Sequence, residues 1–450
     1  MWPILNSSKN HSRRKIMRKI LMFLMALALA FTFAVPAFAL ENIFGGYWRT
    51  RAYMQKDFSG EDQTEAQDLQ LVDTRTRLYY TAKFSDNFQF VNKFELNANW
   101  GDGDDGYGDI GADGVSVKVK HSYADMTCGK TNMTIGVQGA TLNRGFLFDD
   151  DFAGAVVTYN MSETVSIPFI WMKAYEGYNA YDPEAPQKNL NDEDVDYYAV
   201  YPTITAGKAT INPILAWVTS DKPESWFGSE GLEPIDPDLP GDIENLDLYY
   251  LGFDADLPAG PASLWMTALY QFGSFDYITA TDDTSIDVSA YLLAVGASAD
   301  VDKLNLHGKL FYATGQDPDE EDWTAFTGPI GQSYYWAEIM GYGIFDYDFS
   351  NGSCGDRISD IMAANIGVTM KPTDKLSLTG DLWFAQLAED NENGDTDLGT
   401  EIDLIASYSI LDNLSMDAAV AYLFAGDATT GGSSDDANPM EVGVQLSLSF

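Results

Sequence analysis

Met440-Glu441-Val442-Gly443-Val444-Gln445-Leu446-Ser447-Leu448-Ser449-Phe450 ends the chain. Successive side chains of an extended strand point to opposite sides. Met440, Val442, Val444, Leu446, Leu448 and Phe450 therefore share one face, and Glu441, Gly443, Gln445, Ser447 and Ser449 the other. Residues 401–410 repeat the pattern, with Ile402, Leu404, Ala406, Tyr408 and Ile410 opposite Glu401, Asp403, Ser407 and Ser409. Strands that are apolar on one side and polar on the other suit a wall between lipid and a wet lumen.

The same test along the chain predicts eighteen strands, with sixteen as the alternative count. They fall at 43–56, 69–84, 87–100, 115–128, 130–139, 152–160, 163–178, 194–206, 208–221, 246–257, 261–275, 285–301, 303–315, 358–371, 374–387, 399–411, 413–426 and 439–450. Tight links such as Ser85-Asp86, Gly129, Met161-Ser162, Gly207, Asp302 and Asp412 alternate with long polar segments at 101–114, 179–193, 222–245, 276–284, 316–357 and 427–438. Short periplasmic turns opposite longer outer loops, with both termini periplasmic, characterise bacterial membrane barrels. The predicted fold class is an all-β, antiparallel up-and-down transmembrane barrel, closed so that no strand edge meets lipid unpaired. Trp48, Trp100, Trp171, Trp217 and Trp265 read as parts of interfacial girdles.

No apolar run of transmembrane-helix length follows position 40. The apolar run 20–34 follows Arg13, Arg14, Lys15, Arg18 and Lys19 and precedes Ala37-Phe38-Ala39. Residues 1–39 thus read as a secretory signal peptide, with Met17 as an alternative start, and 40–450 as the barrel. The formal net charge is -42, and removal of the six Lys and Arg in 1–39 takes it to near -48. That acidity argues against nucleic acid as a partner. Cys128 and Cys354 form no metal or haem spacing, and the strand map sets them near opposite ends of the barrel. No cofactor and no metal is expected.

Positive charge is unevenly placed. Of 20 Lys and Arg after residue 39, 11 lie between 41 and 145. Parity turns Arg49, Arg51, Arg75, Arg77, Lys83, Lys93, Lys118 and Lys120 into the lumen from four adjacent strands. Facing lipid would cost each of them a few kcal/mol near the bilayer midplane. Two readings stay open. One is an anion-attracting wall, since Arg and Lys rings select carboxylate or phosphate solutes. The other is charge balance with Asp73, Glu95, Glu401, Asp403, Asp381 and acidic loop residues.

Segment 316–357 is the candidate for a loop folded inward, because Trp323, Phe326, Tyr334, Tyr335, Trp336, Ile339, Met340, Ile344 and Phe345 are too apolar for a solvated loop. An oligomer contact or a loop cap is the alternative. Arg144, within residues 142–151, is assigned to the same mouth. The acidic loop 101–114 fails the EF-hand spacing and reads as solvated. His121 falls where strand parity breaks between Lys120 and Ala124, which suggests a bulge. Neither it nor His307 has an evident triad partner, so no enzymatic site is assigned.

Leu398-Gly399-Thr400-Glu401-Ile402-Asp403-Leu404, the strand end Leu423-Phe424-Ala425-Gly426-Asp427, Arg75-Thr76-Arg77-Leu78-Tyr79-Tyr80 and the terminal Phe450 resemble the alginate-export type of Gram-negative outer-membrane porin. The resemblance covers the two ends of the chain. It implies an eighteen-stranded monomeric barrel whose Arg-lined passage carries an acidic polysaccharide, with Arg49, Arg51, Arg75 and Arg77 as liners. The residues themselves point to a passive porin for small hydrophilic solutes, favouring anions, in contact with outer-membrane lipid and lipopolysaccharide. A non-conducting scaffold is the remaining rival, and monomer and trimer are both open.

Overall fold

Strands with one apolar and one polar face satisfy their backbones only edge to edge, and in hydrocarbon the resulting sheet must close. The computed structural model, which describes residues 40–62, 68–101, 108, 110, 117–176, 194–221, 242–278, 283–432 and 436–450, is such a ring. In chain order its strands are β1 (Glu41–Lys56), β2 (Leu69–Ser85), β3 (Phe88–Asn99), β4 (Lys118–Cys128), β5 (Thr131–Leu142), β6 (Phe148–Asn160) and β7 (Val165–Tyr175). Then come β8 (Val195–Val200), β9 (Thr203–Ala206), β10 (Ala209–Ser220), β11 (Asp242–Ala259), β12 (Ala262–Ile278) and β13 (Asp283–Val301). Last are β14 (Leu304–Ala313), β15 (Ile361–Thr373), β16 (Leu376–Gln386), β17 (Asp397–Leu411), β18 (Leu414–Ala425) and β19 (Met440–Ser449).

β8 and β9 are two halves of one stave. Both bond to β10 and β7, and they are separated by Tyr201-Pro202, where proline has no N–H for a ladder. The barrel therefore has eighteen staves, as the alternation predicts. Each stave is antiparallel to the next, and β1 closes on β19 through register pairs from Tyr47↔Ser449 to Lys56↔Met440. Beyond them Gly46 and Phe450 exchange backbone hydrogen bonds of 2.7 and 3.1 Å. Gly46 is needed there, because an added Cβ would meet the Phe450 ring at 2.4 Å.

The outer surface is an apolar belt, with Ile366 70% and Leu404 58% exposed near mid-strand. Tyr198, Trp217, Tyr249 and Phe272 form an outward aromatic row across four staves, with centroid spacings of 5.3, 6.1 and 5.3 Å. Trp265 departs from the girdle reading. It points into the lumen, where its ring covers Gly296 at a position that a Cβ would occupy.

The lumen is not uniformly wet. Inward-facing Ile214, Val218, Leu248, Tyr250, Leu269, Leu292 and Phe311 are buried, and β13 is apolar on both faces. The cause is the segment 314–360 between β14 and β15, which folds inside. Its Trp323 backbone bonds β13, Phe326 meets Tyr250 of β11, and Trp336 meets Phe311 and Trp383 of β14 and β16. Phe345 stacks on Tyr53 of β1 at 5.1 Å. Contacts to staves on opposite sides mean that the loop crosses the lumen. Each large apolar side chain buried this way contributes roughly 2 kcal/mol, which over Phe326, Ile339, Met340 and Phe345, all 0% exposed, fixes the loop firmly.

The expected signal segment 1–39 and most of the acidic loop 101–114 lie outside the described residues. Cys128 and Cys354 are free thiols.

Replacing Leu404 with Arg should destabilise the barrel by about 2–4 kcal/mol if that face meets the bilayer midplane. Denaturant titration of protein folded into vesicles reads the loss, and an unchanged midpoint would contradict the lipid-facing assignment.

Candidate functional site: a basic wall beneath a lumen-crossing loop

The first four strands turn their cations inward because the apolar set of each occupies the other parity. On β1 Phe44 is 76% exposed while Arg51 is 4% exposed. Register then stacks the charges: Arg49 opposes Arg75, Arg51 opposes Asp73, and Arg77 opposes Glu95. The parity break at His121 is a bulge. Lys93 pairs with His121 and Phe94 with Val119, leaving Lys120 as the extra residue. Both Lys120 and His121 consequently reach Asp151 of β6, His121 at 2.9 Å.

Six of the nine expected cations, Arg49, Arg75, Arg77, Lys93, Lys120 and Arg144, line one cavity of about 860 Å³. Its other lining includes Asp149, Asp150 and Asp151 of β6 and Tyr334, Tyr335 and Asp346 of the crossing loop. The remaining three lie elsewhere. Arg51 sits behind the cavity, its Nε bonded to both Asp73 carboxylate oxygens at 2.9 and 3.1 Å. Lys83 is at the turn end of β2, 3.1 Å from Asp86. Lys118 is exposed at the start of β4 and does not line the cavity.

Charge balance operates on part of the wall. Arg77 bonds Glu95 at 2.7 Å, and Arg75 bonds Asn97 at 2.8 Å with Glu95 at 3.6 Å. Lys93 lies over the Tyr79 ring at 5.9 Å and has no carboxylate within ion-pair distance among the described residues. Arg144 enters from the β5–β6 connection, with Asn143 and Arg144 at φ of 50° and 61°. Its guanidinium rests on Trp265 at 4.9 Å and bonds Asp256 at 2.7 Å.

Glu401 and Asp403 behave otherwise than as counter-ions. Glu401, fully buried, accepts the backbone N–H groups of Ile339 and Met340 at 2.7 and 3.0 Å, and Asp403 accepts that of Glu338 at 3.4 Å. They hold the loop to β17 rather than neutralising the basic wall, because the loop lies between. Asp381 pairs instead with His307 at 2.9 Å, so each of these two histidines does have an aspartate partner. Lys309 of β14 is sandwiched between Tyr334 and Trp383, 5.1 and 4.9 Å from the ring centroids. Glu338, Lys309, Asp254 and Asp256 were not singled out by sequence. Apolar residues on both parities of β11–β14 are the signal that marks where an inner partner must pack.

Burial pushes the Glu338 carboxyl up to about 7. Tyr335 faces the cavity half-exposed.

No family model matches the chain, and no curated protein matches it in sequence. Solved structures do match in fold. Outer membrane protein OpdK of Pseudomonas aeruginosa superposes with a TM-score of 0.53 at 12% identity, covering 91% of this chain and 99% of that one. OccAB3 of Acinetobacter baumannii gives 0.56 at 10% identity over 91% and 100%. P. aeruginosa OpdK with vanillate gives 0.53 at 13% identity over 90% and 99%. This likeness is one of fold, the closed barrel that those outer-membrane proteins share.

The Glu338 proton belongs to the docked loop. From about 4.5, the value of a free glutamate, to about 7, only the docked state retains it, so docking weakens as pH rises through that window. Glu338→Gln should flatten this dependence, read as protease cleavage within 314–360 against pH. A wild-type loop equally resistant throughout would contradict it.

Proposed function

We propose that this barrel is a passive outer-membrane channel for small hydrophilic solutes, with a preference for anions set by the wall of β1–β4. The observation that carries the reading is the open cavity bounded by Arg49, Arg75, Arg77, Lys93, Lys120 and Arg144. Converging cations raise the local concentration of anions in a cleft with low-dielectric walls, and a guanidinium grips a carboxylate with two hydrogen bonds. The fold-mate OpdK was solved with vanillate, which is consistent with a small organic anion as solute. The reading involves no covalent chemistry and no cofactor.

Passage of an acidic polysaccharide, implied by the resemblance at the chain ends, draws on the same arginines. The crossing loop favours small solutes over a polymer. It is held to β17 by Glu401 and to β1 through Phe345, and a polymer requires a lumen clear from end to end. A scaffold role would leave no purpose for Lys93, which lines the cavity with no carboxylate at ion-pair distance among the described residues.

Reconstituted in a planar bilayer under a salt gradient, the protein should give a reversal potential on the anion side. Changing Arg75 and Arg77 together to Ser should move that potential toward the cation side while the barrel still conducts. Absence of any conductance in the wild type would remove the channel reading, and a cation preference would remove the role of the wall.

A further inference from the structure

The crossing loop places one carboxylate, that of Asp346, against the basic wall. Its Oδ1 contacts two arginines in very different states. Arg51 is saturated: Nε takes Asp73, Nη1 takes the Ile344 carbonyl at 3.0 Å, and Asp346 adds to these. Arg49 is not. Its Nη2 lies 3.4 Å from Asp346, and its buried Nε has no hydrogen-bond partner among the described residues. Arg49 also stands directly across from Arg75, a like-charge cross-strand pair that is destabilising without an anion nearby. Arg75 is turned away toward Asn97 and Glu95, and the carboxylate that bonds Arg49 comes from the loop.

We propose that Asp346 is a tethered anion resident at the carboxylate position of Arg49, which a permeating anion displaces. This rests on the channel reading above and concerns the regulation of the same wall. An incoming carboxylate can present two oxygens to the Arg49 fork, whereas Asp346 offers it one long contact. Arg51 keeps its bonds to Asp73 and Ile344 when Asp346 swings off, so the loop need not leave the wall for the exchange. Asp346 thereby sets the anion concentration at which the site fills.

The test is the full chain in a planar bilayer, with sodium acetate as the probe. Wild type, Asp346→Asn and Asp346→Glu are compared for reversal potential and for the acetate concentration that half-saturates the current. Removing the resident charge should lower that concentration by at least about threefold, the figure for a single exposed ion pair, and move the reversal potential further to the anion side. The Glu variant should behave as wild type. An Asn variant with unchanged half-saturation overturns the proposal. So does one that raises sodium and acetate currents alike at constant reversal potential, since Asp346 would then be only a strut. A wild-type channel lacking anion preference would instead defeat the underlying reading, so the two failures are distinct.

Discussion

Backbone hydrogen bonding in a medium without water is the constraint on which the remainder of this structure depends. An N–H or C=O group facing hydrocarbon has no solvent partner, so the sheet must close on itself, and it does so where β1 meets β19. Closure fixes the parity of every stave, because a shift of one residue would exchange the lipid and lumen faces. The inward position of Arg49, Arg75 and Arg77 is thus a by-product of where Phe44, Leu78 and Phe84 must lie. The wall is basic because the apolar residues left no other side for its charges.

Inside that ring the chain builds two environments. The staves from β6 to β17 surround a dry core in which the crossing loop packs as it would in a soluble protein, with Phe326, Ile339 and Met340 buried. The staves β1–β5, with Asp149, Asp150 and Asp151 at the start of β6, border the cavity. The loop belongs to both, since its Trp336 side enters the dry core while Tyr335 and Asp346 look onto the wet wall. Position in the loop therefore decides between packing and solute contact.

Much of this was legible from residues alone. Alternation and turn spacing specify eighteen staves and their order, and the apolar composition of 316–357 marks a segment that cannot stay in water. The bulge at Lys120–His121 showed as a parity break. What parity could not supply was distance across the lumen. It places Glu401 and Asp403 inward, like Arg75, but says nothing of the loop that lies between them and takes their oxygens through backbone N–H groups. Trp265 was misassigned for a related reason, since an aromatic residue suits a girdle and an inner platform equally well. Lys118 has the right parity but lies at a strand end, beyond the cavity, which alternation does not register.

Phe345 stacks on Tyr53 of β1 and also lies against Gly443 of β19, where an added Cβ would meet its ring at 2.4 Å. Those are the two strands joined last in chain order, so one aromatic ring from the middle of the sequence rivets the seam from within. Unzipping that seam would require the rivet to be drawn out of its socket, and the first and last strands are coupled in strength to a loop that neither of them adjoins in sequence.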